Sequence, residues 1–274
     1  MEKVSATVIE IHDAVQRFVR FGLVDQKFVQ KDPFIYFDHF NISAPTVFAN
    51  HPHSGFESVT YVVQGELFHG DNAGNKNVLG PGGIQNMCAG GGIIHREIPI
   101  GVANGLNLWV NLPHDKKRIP CDFQVSRKAQ IPTLQNEGAT VRVLMGNSLG
   151  MRSRIQTQQP TVMLDIMLNS GSSHTQPIDR TWTTFIYTMQ GTIVVGAVTI
   201  KTRHTADISG GDFIKFENKT EDKKPARFFF FSGISLKESM YIHSKGNHAY
   251  VMESKDAALE MEKLYNKRVD GFEE

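Results

Sequence analysis

Thiol chemistry is nearly missing from this chain: 274 residues contain two cysteines, Cys88 and Cys121, with no CxxC and no framework spacing. That excludes a disulfide scaffold and a closed thiolate metal site, and it predicts a reducing compartment, cytoplasm or nucleus. Both cysteines read as buried small hydrophobes. Cys88 lies seven residues before His95, but packing outranks oxidation chemistry there. An excess of charge of either sign is missing too. With 29 basic and 28 acidic residues the formal net charge is +1, and no run of like charge stands out. Direct nucleic-acid binding is therefore not expected. Long apolar runs are also lacking. The strongest, Phe228 to Phe231, is far too short to span a bilayer, and the N-terminal MEKVSATVIEI has no apolar stretch of signal-peptide length. A composition of 40% hydrophobic and 21% charged residues predicts a soluble globular protein with ample core, in one large or two medium domains.

Helical periodicity is scarce as well, and what remains is β-type sequence. Residues 3 to 11 alternate, and ESVTYVV, LNLWVNL, TVMLDIML, WTTFIYTM and RFFFF follow between Gly and Pro turns. Many short strands of this kind predict sandwiches or barrels. One helix is expected near the end, where Ser254 can cap and Ala258, Met261, Leu264 and Tyr265 share a face that would pack on a barrel.

Residues 50 to 99 carry the chemistry. Successive side chains of a strand point to opposite faces, so His51 and His53 project together, and so do His95 and Glu97. Each pair is a pincer. Gly65, the DNAGN stretch at 71 to 75 and the GPGG at 80 to 83 let the chain double back and bring the pincers together. Three imidazoles and a carboxylate suit iron, copper, nickel, manganese, cobalt or zinc and leave room for water or substrate. A lone His-x-His is more often a pair of surface residues, but a second pair at the same spacing makes coincidence the poorer account. His69, beside Gly70 and Asp71, reads as a solvated turn residue outside the site. Glu57 lies an even number of residues after His53, so spacing does not choose between Glu57 and Glu97 as the carboxylate.

The segments HPHSGFESVTYVVQGE, NVLGPGGIQNMCAGGGIIHREIP, NGLNLWVNLP at 104 to 113, DPFIYFDHF at 32 to 40 and HTQPIDRTWTTFIYTMQG at 174 to 191 resemble the pirin family of the cupin superfamily. The resemblance covers most of the chain. It implies an all-β fold of two tandem cupin (jelly-roll) β-barrels with a short C-terminal helix. It also implies a mononuclear iron held by His51, His53, His95 and Glu97, which leaves Glu57 a supporting role. Two positions depart from the family pattern: Ser54 stands where Arg is usual, and Arg96 where Ser is common. Both put in doubt any property resting on charge at the rim of the site. Phe56, Met87, Ile93 and Trp109 belong to segments carrying or flanking the ligands and predict an apolar, aromatic pocket, although for each of them singly a core position outranks substrate contact.

An internal repeat supports the duplication. TYVVQG ending at Gly65 recurs as IYTMQG ending at Gly191, an offset of 191 − 65 = 126, and Gly82-Gly83 answers to Gly210-Gly211 at an offset of 210 − 82 = 128. These offsets carry the four ligands onto Pro177, Asp179, Lys223 and Pro225, so the second barrel is expected to be metal-free, with His174 structural. The expected domains are 1–130, with the metal site, and 131–274, with the terminal helix, joined by a linker at 127–138.

Two functions compete. Similarity to pirins implies a quercetin 2,3-dioxygenase, in which Fe(II) binds a flavonol hydroxyl beside dioxygen and Glu97 acts as general base. The other implied function is a non-enzymatic iron redox sensor that acts on a transcription-factor partner in the nucleus, and Ser54 counts against it. A storage-type barrel without metal fails to explain why one copy keeps four ligands. A monomer without membrane association is expected.

Overall fold

Buried apolar runs flanked by glycine turns become interior strands here, and alternating runs become strands with one wet face. The computed structural model describes residues 7–13, 31–45, 47–221 and 223–273. The first described strand, β1 (Thr7–Asp13), covers the end of the expected 3–11 segment, and residues 3–6 lie outside the described residues. The chain forms two units: 31–130, 157–159 and 236–273 in one, and 7–13, 131–156 and 160–235 in the other.

The first unit is built from β2 (Phe34–Ser43), β3 (Phe48–Ser54), β4 (Phe56–Asp71), β5 (Lys76–Leu79), β6 (Ile84–Cys88), β7 (Ile93–Asn111) and β8 (Asp122–Ser126). The long β7 pairs antiparallel with β2, β3 and β4, and β4 also pairs with β5 and β6. The first half of β4 is buried on both faces, which is why ESVTYVV reads as a continuous run rather than an alternation. Gly55 separates β3 from β4. At φ +79° its added Cβ would stand 1.9 Å from the Val251 carbonyl oxygen, so only glycine fits. The Gly55 carbonyl accepts from the buried Lys117 Nζ at 2.9 Å, and that amine also donates to Asn111 Oδ1.

The second unit adds β9 (Thr133–Gln135), β10 (Ala139–Met145), β11 (Asn147–Ser148), β12 (Met151–Arg152), β13 (Thr161–Leu168), β14 (Ser173–Pro177), β15 (Thr183–Gln190), β16 (Thr192–Val195), β17 (Val198–Lys201), β18 (His204–Ser209), β19 (Phe213–Glu217) and β20 (Ala226–Gly233). One sheet runs β1-β18-β15-β20-β13-β10-β9, a second runs β14-β19-β16-β17, and β11 and β12 form a two-stranded ribbon. β9 lies inside the expected 127–138 linker, where its pairing with β10 already makes it part of the second unit.

The C-terminal segment differs from the expected division. Strands β21 (Tyr241–Lys245) and β22 (His248–Met252) join the first sheet, with β22 parallel to β3. The helix α1 (Lys255–Lys267) buries Ala257, Ala258 and Met261 with Ile94, Tyr250 and Phe272. The edge of β3 offers unpaired backbone groups, and β22 satisfies them. Ser254 caps the helix by accepting from the Ala257 N–H at 3.2 Å, as its sequence indicates. Among the described residues no helix is long and apolar enough to cross a membrane.

Strand pairing matches the two copies and corrects their alignment. β4 pairs β6 and β7 as β15 pairs β18 and β20, and β3 pairs the front of β7 as β14 pairs β19. Thus Gly210-Gly211, in the turn before β19, answer to Ala89-Gly90 in the turn before β7, and not to Gly82-Gly83. The loop at 178–182 replaces the lone Gly55, so the 126-residue offset holds only locally. His51 and His53 then match His174 and Gln176. The partner of His51, His95, matches the partner of His174, Phe216, and two residues on Glu97 matches Asn218. These replace Pro177, Asp179, Lys223 and Pro225.

Candidate metal centre

The pincers close because β3 and β7 are antiparallel neighbours with His51 opposite His95 and His53 opposite Ile93. Ring centroids lie 4.7 Å apart for His51 and His53, 4.3 Å for His51 and His95, and 4.9 Å for His53 and His95. All three rings are buried, and one nitrogen of each falls within 4.8 Å of the other two. His51 Nδ1–H donates to the Ala49 carbonyl at 2.7 Å, which leaves Nε2 with its lone pair. Burial holds His51 at about 4, and burial with neighbouring imidazoles holds His53 and His95 well below the usual range. All are neutral at physiological pH. His53 Nδ1 and both ring nitrogens of His95 are buried without a hydrogen-bond partner. Unsatisfied buried nitrogens are costly, and a transition metal ion fits this donor set.

Glu97 stands beside this trio rather than within it: its carboxylate groups with His95 and His69, again within 4.8 Å. Oε1 accepts from Thr60 Oγ1 at 3.4 Å and from Gln85 Nε2 at 3.3 Å. Burial pushes its pKa up, against the lowering influence of His69 and Thr60. Glu57 belongs to neither group. Its Oε1 accepts from Asn86 Nδ2 at 2.9 Å and its Oε2 from the Gln158 N–H at 2.8 Å, while burial pushes it up to about 7. The break at Gly55 is why counting residues from His53 does not put Glu57 on the ligand face.

His69 is not a solvated turn residue. β4 continues to Asp71, so His69 lies in a strand opposite Glu97, fully buried and stacked on Phe123 at 4.6 Å. Its Nε2–H donates to Asp71 Oδ2 at 3.1 Å. Nor do the two family departures stand at the rim. Ser54 is buried with its hydroxyl donating to Met252 Sδ at 3.9 Å, and the exposed Arg96 guanidinium lies 5.6 Å from the Phe68 ring centre. Cys88 is buried, and burial with Glu57 nearby pushes its thiol up to about 12, which leaves it a packing residue.

The histidines open into a cavity of about 270 Å³. Trp109 lines it, whereas Phe56, Met87 and Ile93 lie in the core. Four wall residues, Tyr36, Asp38, Phe40 and Ile42, come from β2 at a two-residue period, a signal already present in IYFDHFNI. His248, at the tip of the β21–β22 hairpin, also lines it, and no local pattern in the sequence marks that residue.

Residues 13–110 match the pirin family model, and residues 163–269 match that of the pirin C-terminal cupin domain. The mouse protein named pirin is 35% identical over 281 residues, covering 99% of this chain and 95% of its own. A tomato pirin-like protein is 36% identical over 247 residues, covering 88% and 83%. Among solved structures, a quercetin 2,3-dioxygenase from Acinetobacter baumannii matches with a TM-score of 0.86 at 25% identity, over 97% of this chain and 98% of its own. The nickel(II) complex of the Escherichia coli pirin YhhW shares the fold, with a TM-score of 0.61 at 20% identity over 74% and 82%. Two cupin barrels, the paired histidines and 35% identity over 99% of the chain lead to one conclusion: the chain belongs to the pirin family.

Proposed function

We propose that the protein is a metal-dependent dioxygenase that cleaves flavonols of the quercetin type, with His51, His53, His95 and Glu97 holding one Fe(II). The carrying observation is the set of buried, unpartnered imidazole nitrogens at the wall of an aromatic cavity. Likeness to the Acinetobacter quercetin 2,3-dioxygenase over nearly the whole chain supports the substrate class. When bound, the ion supplies Lewis acidity and a redox partner for dioxygen. The chain supplies the rest. Neutral histidines present lone pairs, and Tyr36 and Trp109, 4.8 Å apart in a tilted pair, give a planar substrate an aromatic wall. Glu97, whose pKa burial raises, takes the proton of the flavonol hydroxyl.

The test is oxygen uptake by iron-replete protein across a flavonol panel. Uptake above that of free iron, lost in Glu97→Gln beyond any lost metal, supports the reading. No uptake, together with ferrous-to-ferric control of affinity for a nuclear partner, replaces it with the sensor.

A further inference from the structure

His69 remains unexplained by packing alone. Stacking on Phe123 accounts for its burial, but its Nδ1 is buried with no hydrogen-bond partner. The opposite nitrogen is committed: a carboxylate only accepts, so the contact with Asp71 fixes a proton on Nε2, and in the neutral ring Nδ1 is then the acceptor. Asp71 is itself held. Its Oδ1 accepts from the Asn75 N–H at 2.9 Å and from Asn75 Nδ2 at 3.1 Å, and its Oδ2 accepts from Nδ2 at 2.9 Å. The side chains of His69 and Asp71 are almost wholly enclosed.

Across the sheet this H-x-D of β4 runs rung by rung against the H-x-E of β7, with His69 opposite Glu97 and Asp71 opposite His95. The His69 and His95 rings lie 5.5 Å apart, tilted by 38°. A neutral His95 that gives one nitrogen to a metal carries its proton on the other, and that N–H needs an acceptor. Glu97 Oε1 is already engaged by Thr60 and Gln85. We propose that Asp71 and His69 form a positioning relay for His95: Asp71 fixes the His69 tautomer, and His69 Nδ1, which has no partner of its own, is the acceptor offered to the His95 N–H when His95 holds the ion. One nitrogen of the His69 ring lies within 4.8 Å of one of His95. The relay sets which His95 nitrogen faces the ion. It rests on the reading that His95 holds the metal.

Metal-free full-length protein is titrated anaerobically with Fe(II) against a chromophoric chelator. His69→Leu keeps the bulk and removes both nitrogens, whereas His69→Gln keeps a donor toward Asp71 and an acceptor toward His95. Asp71→Asn keeps the shape and frees the tautomer. The expected result is about a 10- to 100-fold loss of affinity in His69→Leu and in Asp71→Asn, with no further loss in the double variant. His69→Gln is expected to recover most of the loss.

Wild-type affinity in His69→Leu overturns the relay, because packing then suffices. Gln as weak as Leu also overturns it, because His69 would then be a ligand itself. If His69→Leu does not fold, Asp71→Asn decides, and unchanged affinity there refutes the relay. His95→Ala separates the two levels: metal retained in it sinks the underlying site, whereas metal lost in it beside an unaffected His69→Leu sinks the relay alone.

Discussion

At matched positions one barrel carries His51, His53, His95 and Glu97, and the other carries His174, Gln176, Phe216 and Asn218. The second set is closed. His174 Nε2–H donates to Gln176 Oε1 at 3.3 Å, and Gln176 Nε2 donates to Ser148 Oγ and the Pro177 carbonyl, both at 2.9 Å. Asn218 Nδ2 donates to the Leu168 and Lys224 carbonyls. Phe216 packs its ring with Phe228 at 4.7 Å. The first set is open, with His53 Nδ1 and both His95 nitrogens unpartnered. One framework thus serves as a self-satisfied core in one copy, and in the other it keeps buried donors at the expense of stability.

Exchanging the distinguishing residue tests this contrast most strongly. His95→Phe, which gives the first barrel the residue of the second, should abolish metal binding, from about one ion per chain to none, as read by metal analysis. Phe216→His should place an unpartnered imidazole in the second core and cost about 3 kcal/mol or more in denaturant unfolding, without adding a metal. A gained ion would show that sequence position alone, and not the surrounding partners, makes the site.

The carboxylates give a smaller effect. Glu97→Gln should weaken metal affinity, whereas Glu57→Gln should leave it unchanged, since Glu57 is bonded to Asn86 and Gln158 away from the histidines. The reverse ranking would assign the carboxylate to Glu57.

The smallest effect lies in the metal-free state. His95→Phe removes two unpartnered nitrogens and should raise stability by about 1–2 kcal/mol over metal-free wild type. That gap should widen as pH falls. The folded pKa of His95 is depressed by burial, so below the unfolded value near 6.5 only the unfolded chain takes up the proton, and stability drains at up to about 1.4 kcal/mol per pH unit until the folded pKa is reached. A gap independent of pH between 7 and 5 would mean that His95 titrates normally.

Much of this was legible in the chain itself. Two-residue spacing alone put His51 with His53 and His95 with Glu97, and glycine turns allowed the pairs to meet. Ser254 and the apolar stripe after it specified a capped helix. The family motifs named the fold. Those features depend on local geometry, which a few consecutive residues contain. What tertiary structure decided was pairing and burial. Cross-strand register matched His51 with His174 where a constant offset had pointed to Pro177, because a loop insertion shifts the count without changing the hydrogen bonds. The length of β4 turned His69 from an apparent turn residue into a buried neighbour of His95. The left-handed Gly55 took Glu57 off the ligand face, and the return of β22 to β3 brought His248 to the cavity from near the end of the chain. Each of these outcomes depends on which backbone groups find partners far along the sequence, and on which side chains water can then no longer reach.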